Sequence, residues 1–586
     1  MKPKPPKRPN PLGFSLPPRR VPGEPRSARP KPPPVTLDLG PDDEDDEDFF
    51  EEAAPAPPKR RSPKIAKPKS APPPRSDQGR RRPGPVKPPG RDSKRVAPAG
   101  PARPGPGRPA IGPKLERAAK DAGMRPIGPP PAGLAPRTPR PEVLHVADLE
   151  LLARSTTEIA ETVERAVFRE RKRADRAIAS ALADRRDLAQ ADHRFINQAV
   201  MALFRWHGWV ETLHLPRLEE RLLLSWMLDA KSIHPVCRTW ARRLDLDPGR
   251  LTALGGAPNW TARGEGWKRL NGGAPVNADP WRLFPQWFRE HLPLPPGGAS
   301  SKMKWLELLN ALQGPQPLWV RAQGRESRLI WIELNEAGIK PWVHRTLVES
   351  AKLERDSDVH RLPPFQRGEL EIQDLSSQIV GLVCDPDPGE RWWDVCAGAG
   401  GKALHLAGLM KGKGLVVASD VHEKRLAEAV RRARRSPFRN LTTRPWDGKH
   451  VVGKAGRYDG VLVDAPCSAI GTWRRNPDAR WLLERDAIPR LAATQLQILQ
   501  TAAAGVRPGG ILVYSVCTLT PMETKQVVAS FLAARPEFRL DPFRDPLRGT
   551  DTDGTMQIWP QDADSDAMFI ARMIRKSAPK PATEPN

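Results

Sequence analysis

Cysteine is scarce in this chain, with five in 586 residues (Cys237, Cys384, Cys396, Cys467 and Cys517), an odd number without paired ligand spacing. That excludes a disulfide framework and a zinc ribbon and points to a reducing compartment, read here as the cytoplasm. No run of about 18 apolar residues is present to cross a bilayer, and the N-terminus has positive charge but no apolar segment before a cleavage site. Acidic residues are too few to balance the basic ones: 69 Asp and Glu against 95 Lys and Arg leave a net charge of +26. A surplus of that size suits a polyanionic partner, nucleic acid ahead of a membrane surface. The length is several times a usual domain of roughly 100–200 residues, so two or three domains are expected.

Residues 1–140 lack Trp and Cys altogether and hold 38 of the 70 prolines, a composition that cannot bury enough apolar surface to offset the entropy of ordering it. A disordered tail is expected there. It carries 31 Lys and Arg against 15 Asp and Glu, broken by the acidic run Asp42 to Glu52, and reads either as a solvated linker or as an arm that gathers RNA through phosphate contacts. From about Glu142 the spacing becomes helical, clearest in Phe195, Ile196, Ala199, Val200, Leu203 and Phe204, and predicts an all-α region over 141–260. Its opening stretch bears Arg165, Arg169, Arg171, Lys172, Arg173 and Arg176, which as a group lean toward an RNA-facing surface, while Trp206, Trp209, Trp226, Trp240, Trp260 and Trp267 read as packing residues. Residues 261–367 form a linker and a small α/β insert, with a short helix over 305–312 and apolar alternation at Leu318, Val320 and again at Leu329, Trp331. Over 368–576 short apolar strands (391–395, 414–419, 460–464 and 510–515) alternate with helices, predicting a parallel sheet covered on both faces; 577–586 is expected to be disordered.

The first of these strands runs into Asp394-Val395-Cys396-Ala397-Gly398-Ala399-Gly400-Gly401-Lys402 and then a helix. Glycines there allow close backbone approach to a ligand at a helix N-terminus, where free N–H groups favour an anionic group. The second strand ends in Asp420, placed to accept hydrogen bonds from ribose hydroxyls. No Walker lysine-serine pair follows the loop, so a nucleoside triphosphate fits poorly and S-adenosylmethionine (SAM) fits better. Two later strands end in Asp464-Ala465-Pro466-Cys467-Ser468 and Ser515-Val516-Cys517-Thr518, putting two cysteines where open α/β sheets bind ligands. Cytosine is a poor nucleophile at C5, and a thiolate adding at C6 activates it.

On these motifs the chain resembles the RsmB/Sun family of RNA cytosine-C5 methyltransferases, including Asp420 with Arg425 one turn on, Asp447-Gly448, and Arg474-Arg475-Asn476-Pro477-Asp478 after the Cys467 segment. The likeness covers about 368–575, and the helical region more loosely resembles the NusB-like RNA-binding domain of the bacterial rRNA branch. It implies a Rossmann-like class I methyltransferase domain at 368–576, preceded by an all-α NusB-like domain and the small insert. By the same resemblance Cys517 would attack cytosine C6 and Cys467 would promote product release. Asp464 would hold the base edge, with Lys402 nearby for the base or the methionine carboxylate. Cys396, Ala397, Gly398, Ala399, Gly400, Gly401 and Lys402 would line SAM, with Asp420 at the ribose, Asp447 at the adenine, and Arg425 and Asp464 also in that group. No metal is expected, and the partner would be RNA, 16S rRNA ahead of tRNA, bound by a monomer. A competing reading is a ribosome-assembly factor that only binds RNA. The sequence departs from the family pattern at Gly398-Ala399 (Ala-Pro), Ala469-Ile470 (Gly-Thr) and Val516 (Thr), none of which removes a reactive atom.

Overall fold

A computed structural model describes residues 146–229, 232–246, 279–292, 302–314, 316–355 and 357–577. The expected tail, Trp260 and Trp267, and all but the first residue of the expected C-terminal stretch lie outside them. Five helices follow one another among the described residues: α1 (Val146–Phe168), α2 (Ala174–Leu182), α3 (Gln190–Val210), α4 (Leu218–Asp229) and α5 (Pro235–Arg243). The six apolar positions that mark α3 are all buried, as are Trp206, Trp209, Trp226 and Trp240, so these indoles serve as core.

After α6 (Lys302–Gln313) come β1 (Leu318–Ala322), α7 (Ser327–Glu336), β2 (Trp342–Val343), β3 (Ser350–Leu353) and β4 (Leu370–Ile372). The four strands make an antiparallel sheet in the order β2-β3-β1-β4. Leu329 and Trp331 do not extend a strand pattern. They lie on α7, where Ile330, Trp331 and Leu334 form one buried helical face and Leu329 is exposed. The small sheet also takes β4 from beyond position 368, because Arg321 and Ala322 pair with Glu371 and Leu370.

The larger sheet is built from β5 (Arg391–Asp394), β6 (Leu415–Asp420), β7 (Leu441–Pro445), β8 (Tyr458–Asp464), β9 (Val506–Val516), β10 (Phe538–Leu540), β11 (Thr555–Ile558) and β12 (Met568–Arg575). Its order is β10-β12-β9-β8-β5-β6-β7, with β11 on β12. The strands from β7 to β9 are parallel, whereas β12 runs antiparallel to β9, β10 and β11, so the sheet is mixed rather than wholly parallel. Helices α8 (Leu375–Cys384), α9 (Gly401–Leu409), α10 (Glu423–Arg435), α11 (Ala487–Ala503) and α12 (Lys525–Ala534) accompany it. Trp392 and Trp393, neighbours on β5, point to opposite faces and anchor separate buried clusters, as expected of a strand covered on both sides. Glycine is required at Gly460 on the adjacent strand, since a Cβ would run into the Trp392 ring. Strand order reverses around β5, and the crevice outside such a reversal is where open α/β sheets take ligands.

The core of the helical region does not stop at α5. Ile470, Trp473, Leu519 and Ala567, from the loops around β8, β9 and β12, belong to the same buried cluster as Phe204, Trp209 and Leu223. Polar contacts follow the same route. Arg173 and the Ala174 N–H reach Asn476 and Asp478, Arg171 reaches Leu482 O and Glu484, and Trp481 Nε1 donates to Phe204 O. Arg171 and Arg173, expected on an RNA-facing surface, are therefore turned onto the Arg474–Asp478 segment and its continuation. Arg480 is fully buried there, donating to Leu283 O, Leu312 O, Trp473 O and Gln313 Oε1 while stacking on Phe284. Among the described residues no helix is long and apolar enough to cross a membrane.

Candidate active site at the strand ends of the mixed sheet

The loop from Cys396 to Lys402 leaves β5 and enters α9. Its turn closes with the Gly400 N–H on Ala397 O (2.8 Å), and Gly400 takes a left-handed φ of +82° that an L side chain rarely adopts. Gly398 is also left-handed, and the space beside it is open. Asp420, buried at the end of β6, accepts from the Gly398 N–H (2.9 Å) and the His422 N–H (2.9 Å). Each oxygen keeps a lone pair, so the carboxylate fixes the loop and can still accept from a diol. Arg432 donates to Ala399 O (3.2 Å) and to the buried Glu371 of β4 (2.8 Å), tying the loop to the small sheet.

Asp394 is wholly buried beneath this loop, and neither carboxylate oxygen makes a well-formed hydrogen bond. Burial first and then the nearby Asp464 charge push its pKa up to about 8, with Lys402 opposing. Such a buried acid suits a cationic ligand group. Burial followed by Asp420 raises the Cys396 thiol well above its usual range, and the Arg425 charge from the first turn of α10 opposes this. Asp447 is half-exposed and occupied in its own turn, accepting from the His450 ring and then from the Lys449 and His450 N–H groups, which hold its pKa below the usual carboxylate range. That turn lies beside the end of β6, since the Trp446 N–H donates to Asp420 O (3.0 Å).

Across the reversal, Lys402 donates to Asp464 Oδ2 (2.6 Å), and the Ser515 hydroxyl donates to Asp464 Oδ1 (2.7 Å). Burial alone would lower the Lys402 pKa, but the Asp464 carboxylate outweighs it and the ammonium is held above its ordinary value. The sulfurs of Cys467 and Cys517 lie 3.4 Å apart. Their shared hydrogen bond first, then burial, the Cys517 charge and last the Glu523 charge, push the Cys467 thiol well up. Cys237, inside the helical core, is likewise raised, to about 12 by burial, but it is fully buried whereas Cys467 and Cys517 are partly exposed. Glu523 is fully buried and bonded to Ser468, Thr520 and Gln495.

The structure thus brings Lys402, Asp464, Cys467 and Cys517 together, with the Cys396–Gly401 loop and Asp420 alongside. A glycine-rich loop at the end of β5 with a thiol at the end of each of the next two strands, β8 and β9, is an arrangement that can move a group between two bound molecules. The profile of the family described as 16S rRNA methyltransferase RsmB/F matches residues 381–574, the stretch that carries all of these groups. Ribosomal RNA small subunit methyltransferase B of Salmonella paratyphi A is 32% identical over 298 residues, spanning 50% of this chain and 67% of that protein. The chain belongs to the RsmB/F family. The Klebsiella pneumoniae protein of the same description is also 32% identical, over 50% of this chain and 66% of its own length. The crystal structure of PH0851 has the same fold, with a TM-score of 0.55 and 22% identity over 71% of this chain and 98% of that one.

RsmB/F proteins are SAM-dependent methyltransferases, and the residues here fit that cofactor. Asp394 is an unpaired buried acid for an ammonium, Asp420 an acceptor for ribose, and Gly398 leaves room for close approach. Reading the sequence missed Asp394, Ser515, Arg432 and Glu523 as parts of the site. Asp394 and Ser515 sit in the quoted motifs and were legible as strand-end polar residues. Glu523 reads as an ordinary acid near the start of a helix, and no local signal separates it from any other.

Proposed function

We propose that this chain forms 5-methylcytidine in ribosomal RNA of the small subunit, 16S rRNA, using SAM and a covalent adduct between Cys517 and cytosine C6. The observation that carries the reading is the pair of thiols 3.4 Å apart, beside an Asp464–Lys402 ion pair that reaches to the loop suited to SAM. SAM supplies an electrophilic methyl group on its sulfonium. The Cys517 thiolate forms the C–S bond at C6 and moves an electron pair toward C5. Asp464 and Lys402 steady the base edge as that charge develops. After methyl transfer, which leaves the donor as a neutral thioether, the C5 proton passes to water, the electron pair returns and the C6–S bond breaks, with Cys467 promoting release. Asp420 orients the ribose, Asp447 and Arg425 complete the cofactor side, and the cytosine is flipped from its stack to reach the thiols.

In this reading the chain is organised as a basic tail (1–140), a NusB-like RNA-binding domain (141–260), an insert (261–367) and the methyltransferase domain (368–576). It acts as a monomer in the cytoplasm, where reducing conditions keep both thiols free. The support for rRNA over tRNA is the helical region together with the descriptions carried by the relatives.

The test incubates wild type, Cys517→Ala and Cys467→Ala with SAM and unmodified 16S rRNA, scoring 5-methylcytidine and gel-stable adduct. Expected are methylation by wild type, none by Cys517→Ala, and a trapped protein–RNA adduct with Cys467→Ala. Methylation of tRNA alone would move the substrate, and neither product on either RNA would leave a binding factor.

A further inference from the structure

Two chemically identical thiols that share a hydrogen bond need something to tell them apart. The surroundings of Cys467 and Cys517 are not symmetric. On one side lies Lys402, bonded to Asp464 and within electrostatic reach of Cys517. On the other lies Glu523, with no solvent exposure, wedged between the two cysteine loops.

Every polar neighbour of the Glu523 carboxylate is a donor. Oε1 accepts from the Ser468 N–H (2.8 Å) and Gln495 Nε2 (3.1 Å). Oε2 accepts from the hydroxyls of Ser468 (2.6 Å) and Thr520 (2.7 Å). Thr518 Oγ1 is 3.2 Å from Oε2 and 2.7 Å from Ser468 Oγ, so its one proton serves either acceptor. Ser468 follows Cys467 and Thr518 follows Cys517, so the carboxylate ties the two cysteine loops together, with both the backbone and the hydroxyl of Ser468 on the Cys467 side and one shared hydroxyl on the Cys517 side.

We propose that Glu523 is the positioning residue that divides the labour between the thiols, keeping Cys467 as the thiol and leaving Cys517, on the side of Lys402, as the nucleophile. The inference rests on the covalent methyl-transfer reading above. A buried anion disfavours a second anion beside it, and a cation does the opposite. The titratable groups around the pair are Lys402, Asp464, Glu523 and Tyr514. The Tyr514 hydroxyl lies 3.0 Å from Gln495 Oε1 and 2.6 Å from Glu523 O, its one proton serving either acceptor, and burial holds it in the neutral form. Glu523 is the anion of this set that is bonded directly to the Cys467 loop.

The experiment alkylates the full chain with iodoacetamide, without RNA or SAM, and measures Cys467 and Cys517 separately by peptide mass spectrometry across pH 6–10. In wild type Cys517 reacts first as pH rises, and Cys467 follows at higher pH. Glu523→Gln, which keeps the shape and removes the charge, raises the Cys467 to Cys517 rate ratio about tenfold at pH 8, the effect of roughly one pKa unit. Its kcat for cytosine methylation falls at least tenfold while KM for SAM stays within about twofold. Thr520→Val removes one donor, keeps the charge, and leaves the ratio within twofold of wild type.

An unchanged ratio in Glu523→Gln overturns the proposal. So does an equal shift in Thr520→Val, which would mean that loop packing alone is at work. Should Glu523→Gln fail to fold by circular dichroism, the wild-type order decides, and Cys467 reacting first or together with Cys517 overturns it. The alkylation arm uses no RNA. Expected alkylation without any 5-methylcytidine would therefore overturn the reaction while supporting the division of the thiols.

Discussion

On the cofactor side of the sheet, the loops after β5 and β6 are closed by near neighbours, Asp420 reaching Gly398 across 22 positions. On the reaction side, the loops after β8 and β9 are closed by groups far apart in the chain. Glu523 meets Ser468 across 55 positions, and Arg205 of α3 donates to Arg474 O across 269. The first half is a motif in the literal sense, a short string whose own glycines and acids make the turn. The second is an assembly, whose geometry depends on the helical region being in place. A defect in the cofactor half should therefore show as weakened SAM binding in a folded protein, and one in the reaction half as lost stability and turnover together.

The largest effect is expected at Asp394. Its folded pKa of about 8 lies above the ordinary 3.8, so below about pH 4 both states are protonated and nothing is lost. Between about pH 4 and pH 8 the unfolded chain releases the proton while the folded protein retains it, and stability falls across that window. Asp394→Asn removes the dependence, so denaturation of SAM-free protein should show the variant gaining on wild type by up to several kcal/mol as pH rises to 8. A gap that is flat with pH would break the assignment.

Next comes Arg480→Ala on the reaction side, which strips four acceptors of their donor and opens a cavity against Phe284 and Trp473. A loss of about 3–5 kcal/mol is expected, read as a lowered urea midpoint, together with loss of methyl transfer. Asp420→Ala sharpens the contrast. It frees the Gly398 and His422 N–H groups and should cost about 2 kcal/mol in SAM affinity, roughly 30-fold by calorimetry, with little change in melting.

Ala469 tests a smaller point. It stands at φ +53° and ψ 23°, the left-handed region, where the family pattern has glycine. Ala469→Gly should stabilise the chain by about 1 kcal/mol, seen as a higher melting temperature. As the bottom of the scale, Arg490→Ala breaks an exposed pair with Asp486 and should change stability by less than about 0.5 kcal/mol.

The same contrast explains what the sequence made legible. The four central strands, the Cys396–Lys402 turn, Asp420 and the cysteine pair are written in contiguous stretches where strand period, glycine and acid fall in order. Leu329 and Trp331 misled because two apolar residues two apart fit a strand, and Ile330 and Leu334, which make the helical face, decide only when counted together. Strands β7, β10 and β11 are short edge or hairpin strands with little apolar signal. The bonds of Arg171 to Glu484 and of Arg173 to Asn476 were not legible, because nothing near them announces acceptors some 300 positions away. Glu523 is the extreme case, a buried acid whose donors lie in three separate segments.

The shared core of the helical region and the Ile470–Leu483 segment also has a meaning in time. Trp481 lies 277 residues beyond the Phe204 carbonyl that it caps. A ribosome adding roughly 5–20 residues per second makes α3 roughly 14–55 s before that partner exists. For that interval the face of the helical region that will pack against Trp473 and Ile470 exists before they do, so completion of this core waits on the second half of the chain.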